Sequence, residues 1–332
     1  MKICVWYEII NKPYGGANTF LGALVDKLKE CGHEVIKHPF ASADVILINS
    51  WSKGPGKYLS PKMVNELRTF GNISYYRKVL PFASVFYNHI KRKGPPLVHR
   101  VDGIAALYGR FDESDEIQIK INQLTDYTIF QSKFCRDSFA SYGICPQRSM
   151  VIYNGVDNRL YYPDRSTKKP SKKLKALAVS WSSNPMKGFS TLVEIATRFD
   201  IELTFVGNWN ESIPCGNVKV IGTKTALEIA SIMRQNDIFI HAAENDPCPN
   251  VVLEALASGL PVLYKDSGGT SELAEGYGVP IRFNNIDGSL NEIREKYREL
   301  REKILSDRHL FSIKNAAEKY LQVFEELRVR FT

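Results

Sequence analysis

The stretch that most constrains this chain runs from Ile238 to Tyr264. Ile238, Phe239 and Ile240 form a short apolar run after the polar turn Gln235, Asn236, Asp237, which predicts a buried strand. A loop follows from His241 to Pro249 and holds Glu244, Asp246, Pro247 and Cys248. Asn250 reads as an N-cap, and residues 251–257 form a helix that is apolar on nearly every side. Gly259 stops that helix, and residues 260–264 return to strand. A buried strand, a loop, a buried helix and a second strand are the repeating unit of a parallel α/β sheet.

The polar residue on that helix is Glu254. A buried helix seldom keeps a carboxylate without a partner, because desolvating the charge is costly. Glu254 is therefore either on an exposed side of the helix or a ligand-binding carboxylate in its first turn. In the second case the free backbone N–H groups of Asn250, Val251 and Val252 favour anions in the same space. Amides beside a carboxylate suit a molecule with both phosphate and hydroxyl groups, and a nucleotide-sugar fits that description.

The chain has 332 residues, enough for two full cores, and its 44% hydrophobic and 24% charged residues are those of a globular protein. No run approaches about 18 apolar residues, so no membrane-spanning helix is expected. Residues 1–7 read as a first strand, not a signal peptide. Six cysteines (Cys4, Cys31, Cys135, Cys145, Cys215, Cys248) lie scattered without a Cys-x-x-Cys pair, as in a reducing compartment. These features predict a cytoplasmic protein. Net charge is +8, which favours anionic partners, but no nucleic-acid module signature is present and nucleic acid is not expected to bind. Basic and aromatic residues interleave from Tyr75 to Lys93, so that segment is read as either a solvated basic face or a peripheral contact with an anionic membrane.

In order along the chain, the first strand leads to a loop with Gly15 and Gly16, a helix carrying Phe20, Leu21, Leu24, Val25 and Leu28, and a strand after Gly32. This is a first βαβ unit. Gly-x-Gly-x-x-Gly is absent, which disfavours a nicotinamide-dependent dehydrogenase, yet paired glycines before a helix let backbone approach a phosphate or sugar. His99, Arg100 and Asp102 lie at the carboxyl end of a strand over residues 96–101, where ligands sit in open α/β sheets. Residues 164–173 contain no apolar side chain and read as a linker. A second α/β series then begins. Lys187, in the loop after the strand over 174–180, can reach a bound phosphate as a point charge. Residues 291–304 and 313–329 predict long amphipathic helices. The resulting domains are 1–163 and 174–312, each doubly wound and Rossmann-like, with a cleft between them, followed by a C-terminal segment, 313–332.

Several motifs in this order resemble the retaining glycosyltransferase family 4, of the GT-B fold, over almost the whole chain. They are Gly15-Gly16-Ala17-Asn18 with Gly32-His33-Glu34-Val35; residues 126–132 with 151–157 and Tyr162-Pro163; Lys187-Gly188; Asp246 to Glu254; and Gly259-Leu260-Pro261-Val262 with Gly268-Gly269-Thr270-Ser271-Glu272. The sequence departs from the family twice. Asp246, eight positions before Glu254, stands where the family has glutamate, and Glu244 is out of that register. Ser182 stands where the family has an arginine, five positions before Lys187.

The resemblance implies a hexosyltransferase that moves a sugar from a UDP- or GDP-linked donor to a glycan, lipid or other small-molecule hydroxyl acceptor with retention of configuration. It implies an acceptor-binding first domain, a donor-binding second domain, and a final helix packed back on the first. Lys187 would hold the diphosphate, with Gly15, Gly16, Ser182, Gly188 and the loop Pro247, Cys248, Pro249, Asn250, Val251 and Val252 around the donor. Glu254 would bind ribose hydroxyls and Asp246 hydroxyls of the transferred sugar, and Asp102 with His99 or Arg100 would face the sugar from the first domain. No cofactor or metal is implied. A nucleotide-sugar-binding protein without transferase activity and a GT-B nucleotide-sugar epimerase are the alternatives.

Overall fold

The computed structural model describes residues 1–10, 15–39, 43–70, 94–164 and 169–331. The interleaved basic and aromatic segment, read above as either a solvated basic face or a membrane contact, lies outside the described residues, as do residues 11–14 of the first loop and 165–168 of the linker. No described helix is long and apolar enough to cross a membrane.

Two parallel sheets organise the chain. The first contains β1 (Lys2–Val5), β2 (Glu34–Ile36), β3 (Val45–Asn49), β4 (Ser52–Gly54), β5 (Lys57–Tyr58), β6 (Leu97–Val101), β7 (Tyr127–Phe130) and β8 (Ser149–Val151). Its order is β2-β1-β3-β6-β7-β8, all parallel, with β4 and β5 an antiparallel hairpin on the end of β3. The second contains β9 (Leu174–Ser180), β10 (Ile201–Gly207), β11 (Lys219–Val220), β12 (Ile238–His241), β13 (Val262–Tyr264) and β14 (Gly278–Pro280), in the order β11-β10-β9-β12-β13-β14. Every residue of β3, β6 and β12 is buried, because helices cover both sheet faces. Strand order reverses between β1 and β3 in one sheet and between β9 and β12 in the other. The chain thus has a topological switch point in each domain, at the carboxyl ends where ligands bind in such sheets. This is the two-domain α/β arrangement that the sequence pattern predicts.

Two helical readings change. Residues 291–304 do not form one helix: Ile286–Glu295, capped by Asn285, is followed by Tyr297–Asp307 after a break at Lys296. Ile293, Tyr297, Leu300 and Ile304 stay buried across the break, so a single apolar stripe reads as one helix although the backbone is interrupted. The final helix extends to Phe331. Its buried positions Ile313, Ala316, Ala317, Tyr320, Phe324 and Leu327 recur at helical spacing and share one core with Ile3, Val5, Phe20, Leu21 and Leu24 of the first domain.

The chain crosses between the domains twice, near Asn154–Pro163 and near Arg308–Ile313, and the two crossings are tied together. Val156 N–H donates to Phe311 O at 2.9 Å, and Ile313 N–H to Val156 O at 2.8 Å. Arg308 spans three carbonyls, those of Ala257, Asn158 and Tyr161. Gly155 makes this approach possible: a methyl group there would lie 2.5 Å from Ser312 O and 2.8 Å from Ile313 Cα. Backbone on both sides leaves no flexible atom to yield. Gly155→Ala is expected to lower stability by about 1–3 kcal/mol through overpacking, seen as a lower melting temperature by calorimetry; an unchanged melting temperature would show that the crossing is looser than its geometry.

Candidate active site

The cleft is built from loops that follow β1, β6, β9 and β12, the strands beside the two switch points or next to them. The loop after β9 carries Lys187. Asn184 Oδ1 accepts from Met186 N–H at 2.9 Å and starts a short 3-10 turn, Pro185–Lys187, which Gly188 ends in the left-handed conformation at φ 77°. A side chain at Gly188 would sit 2.2 Å from Ala242 O, so only glycine lets this turn lie against the end of β12. Lys187 is thereby held over the loop that carries Asp246, and its Nζ donates to Asp246 Oδ2 at 2.7 Å.

That pair is the electrostatic centre of the cleft. Burial alone would raise the Asp246 carboxyl, but the adjacent Lys187 outweighs it and holds the group below the usual carboxylate range. His241 Nε2 lies 4.0 Å from the same oxygen and has no hydrogen-bond partner among the described residues. Burial pushes His241 down to about 4, so near neutral pH its imidazole is uncharged. Glu244 points elsewhere, paired with Lys265. Asn245 takes a positive φ of 53° and donates from Nδ2 to Leu107 O at 2.9 Å, and this turn separates the two carboxylates. The register assigned to Asp246 from the sequence is therefore also the one that faces Lys187.

Glu254 is 5% exposed and lies in the wall of an adjoining cavity with Gly15, Gly16, Tyr161, Ser180 and Lys224. Burial raises it to about 7, partly opposed by a hydrogen bond from the Tyr161 hydroxyl. Its helix runs Asn250–Ala257 with Pro249 as N-cap, so Glu254 belongs to the second turn, not the first. Asn250 is inside the helix and caps nothing. Its side chain instead joins the domains: Asn250 Nδ2 donates to Gly16 O at 2.8 Å, and Oδ1 accepts from Asn154 Nδ2 at 2.8 Å. Val252 is likewise corrected. Its N–H donates to Pro249 O at 3.1 Å and its side chain is fully buried in the core, whereas Val251 lines the cleft.

The structure places the remaining sequence-predicted residues unevenly. Gly15, Gly16, Ser182, Asp102, Pro247, Cys248 and Pro249 all line the cleft with Lys187 and Asp246. Gly188 supports the lysine from behind. His99 and Arg100 do not face the cleft. Both belong to β6, which is covered on both faces, so their side chains end inside the first domain. His99 contacts Ser50 O at 3.0 Å and Asn122 at 3.1 Å, and burial holds it at about 4. Arg100 donates to Asn49, Gln131 and Asn154, and its Nη1 lies 3.4 Å from Asp102 Oδ1. Only after β6 ends does Asp102 emerge, its carboxylate held by Gln131 Nε2 at 2.7 Å.

Sequence reading missed Tyr108, Arg110, Trp181 and Asn184, which line the same cleft, and Tyr161 beside Glu254. Asn184-Pro185 is a cap-and-first-turn signature that marks the turn before Lys187. Tyr108 and Arg110 lie in an irregular segment with no periodic signal. Elsewhere between the domains, Glu272 accepts from Lys133 N–H, Phe134 N–H and the Tyr153 hydroxyl at 2.8, 2.6 and 2.7 Å, placing a carboxylate at the N-terminus of helix Lys133–Ser141.

Comparison with known proteins adds to this geometry. Residues 164–304 match the family model of glycosyl transferases group 1. A GDP-mannose-dependent alpha-mannosyltransferase of Mycobacterium tuberculosis is 27% identical over 46% of this chain and 42% of its own length. The phosphatidylinositol N-acetylglucosaminyltransferase gpi3 subunit of Schizosaccharomyces pombe is 22% identical over 78% of this chain and 64% of its own. The chain thus covers less than two thirds of these curated relatives. Among solved structures, sucrose-phosphate synthase of Thermosynechococcus elongatus superposes with a TM-score of 0.69 at 16% identity, over 99% of both chains. HepE of Anabaena in complex with UDP-glucose superposes at 0.67 and 18% identity, over 98% of this chain and 100% of the other. The fold is that of the GT-B glycosyltransferases, and the segment that supplies Lys187, Asp246 and Glu254 is the one that matches the group 1 glycosyl transferase model.

Proposed function

We propose that the chain is a retaining glycosyltransferase that takes a hexosyl group from a UDP- or GDP-linked sugar and places it on a hydroxyl of a glycan, lipid or small-molecule acceptor. The observation that carries this reading is the Lys187–Asp246 pair, 2.7 Å apart in a cleft between two switch points and continuous with the cavity of Glu254. A cation, a carboxylate, helix-start amides and a second carboxylate in this sequence match diphosphate, sugar and ribose in a row.

In this reading the second domain holds the donor and the first presents the acceptor. Lys187 and the amides beside Gly15 and Gly16 stabilise charge that develops on the departing diphosphate, the part of the reaction where fixed charge contributes most. Asp246 leaves its pairing with Lys187 to accept from a hydroxyl of the transferred sugar. Glu254 accepts from ribose hydroxyls. The bond between the anomeric carbon and the phosphate oxygen breaks with its electron pair leaving on the diphosphate. The acceptor oxygen bonds to the same face of that carbon, and its proton passes to a diphosphate oxygen. Asp102, steadied by Gln131 and Arg100, faces the sugar and acceptor. His99, enclosed in the domain, takes no part. The positive charge is assigned to protein groups, and the reaction is read as metal-independent. The protein works in the cytoplasm or at the inner face of a membrane.

A panel of nucleotide-sugars scored by thermal shift tests the reading, since a ligand of the native state raises stability with its affinity. Stabilisation by at least one UDP- or GDP-sugar, and product formed with an acceptor, are expected. Binding without transfer to any acceptor would favour the non-catalytic reading, and interconversion of donor sugars without acceptor would favour the epimerase. Lys187→Ala is expected to lower kcat by at least about 100-fold, the scale for removing one donor to a developing anion, with the circular dichroism of the fold retained; turnover at the wild-type rate would exclude the assigned role.

Glu254 makes a second prediction. Its carboxyl sits higher in the folded protein, at about 7, than its ordinary value of 4.5, so the stability it contributes is full below pH 4.5 and is lost as pH rises through 7. Glu254→Gln removes a buried charge and is expected to raise the melting temperature of the free protein at pH 8 while changing it little at pH 5. The same variant is expected to bind the nucleotide-sugar about tenfold more weakly at pH 8, because an acceptor of ribose hydroxyls is lost. Calorimetry and titration at the two pH values check both; lower stability together with unchanged binding would mean that Glu254 is structural.

A further inference from the structure

The cleft's charges do not suffice for the ligand assigned to it unless one more residue acts. Among its described lining residues, the cations are Lys187 and Arg110 and the acids are Asp102 and Asp246. His241 is buried and neutral. Lys187 is committed to Asp246 at 2.7 Å, so that pair presents almost no net charge. A nucleoside diphosphate brings at least two negative charges to the same space. Lys224 lies in the adjoining cavity and is paired with Glu228 at 3.5 Å, which leaves Arg110 as the other cation lining the cleft of Lys187. Its carboxylate partner is weak: Asp112 lies 3.5 Å from Nε, with both side chains about half exposed.

Arg110 is also placed. Ala105–Tyr108 forms a 3-10 turn whose first N–H groups donate to Asp115, at 2.6 and 3.0 Å. Gly109, at φ 68°, reverses the chain, and Arg110 N–H returns to Ala105 O at 3.1 Å. The turn is fixed to the opposite domain by two amides, Asn184 Nδ2 to Tyr108 O at 3.1 Å and Asn245 Nδ2 to Leu107 O at 2.9 Å. Those asparagines belong to the loops that carry Lys187 and Asp246. The backbone of Arg110 is thus registered against Lys187 across the domain boundary, and its guanidinium lies over the Trp51 ring, 5.9 Å from the centroid. A flat ring behind a guanidinium leaves its edge donors free for phosphate oxygens, which a planar fork can meet in pairs.

We propose that Arg110 is the second cation of the diphosphate site, supplied by the first domain, so that a nucleoside diphosphate is gripped between Arg110 and Lys187. This rests on the glycosyltransferase reading and adds to it a phosphate-binding residue from the side otherwise assigned to the acceptor. Because the grip needs both domains, diphosphate binding favours the closed cleft, whereas a nucleoside monophosphate, ending short of Arg110, does not use it.

Isothermal titration of the full chain with UDP, GDP, UMP and GMP tests the proposal in the wild type, Arg110→Ala and Arg110→Lys. The wild type is expected to bind one diphosphate more tightly than its monophosphate. Arg110→Ala should weaken that diphosphate about tenfold or more, as for loss of one charge-assisted hydrogen bond, and leave the monophosphate unchanged. Arg110→Lys should recover part of the loss. Arg110 is exposed, so a melting temperature equal to the wild type's is expected for both variants. Undiminished diphosphate affinity in Arg110→Ala, or an equal loss for monophosphate and diphosphate, overturns the proposal while leaving the enzyme reading intact. If the wild type binds neither diphosphate, the glycosyltransferase reading fails and this proposal with it.

Discussion

A run of three hydrogen bonds crosses the centre of the molecule, and the site depends on it. Arg100 Nη2 donates to Asn154 Oδ1 at 2.9 Å, Asn154 Nδ2 to Asn250 Oδ1 at 2.8 Å, and Asn250 Nδ2 to Gly16 O at 2.8 Å. It starts from a guanidinium 1% exposed in the first domain, enters the second at the head of the helix that carries Glu254, and returns to the first at the paired glycines. Each amide presents its oxygen to one neighbour and its nitrogen to the next, so a change at one member leaves a buried polar group unmatched at another. That dependence fixes the separation between Gly16 and helix Asn250–Ala257, which is the width available to a ligand between them.

The same economy of buried polar groups explains the chemistry of the walls. At short range Lys187 stabilises the ionised Asp246 carboxylate, against a burial that by itself would favour the neutral acid. Burial raises the Glu254 carboxyl to about 7, and the Tyr161 hydroxyl opposes this only in part, so Glu254 sits near the midpoint of its titration at neutral pH. In the proposed reaction the first carboxylate leaves its cation for the ligand, and the second gains donors from it. The raised Glu254 carboxyl therefore takes stability from the protein as pH rises through 7, whereas the lowered Asp246 carboxyl adds to it near neutral pH.

Local features of the site were legible in the sequence because they depend on neighbours in the chain. Lys187-Gly188 before a helix, the apolar helix with a single glutamate, and the spacing from Asp246 to Glu254 each state their own geometry. Choosing Asp246 over Glu244 came from the resemblance, whose motif places an acid eight positions before Glu254, and the Glu244–Lys265 pair shows the other carboxylate turned away. What failed was long-range. His99 and Arg100 were read from their place at a strand end, but whether β6 is covered on one face or two depends on elements far away in sequence. Asn250 carries the residue type of an N-cap, yet Pro249 takes that position and the freed amide bridges the domains. Tyr108 and Arg110 reach the cleft through a turn whose position is set by asparagines more than 70 residues later, a relation that no local pattern expresses.

The helix Ile313–Phe331 fills the core of the first domain although it follows the whole second domain in the chain. During synthesis Phe20, Leu21 and Leu24 emerge before the second domain and face a groove that has no occupant until helix Ile313–Phe331 is made. The first domain therefore waits, partly uncovered, while the whole second domain is made, and the second, with a core drawn from residues 174–300, can close before it. Order of synthesis and order of consolidation run in opposite directions in this chain. Its period of greatest exposure to misassembly falls on the domain that is made first.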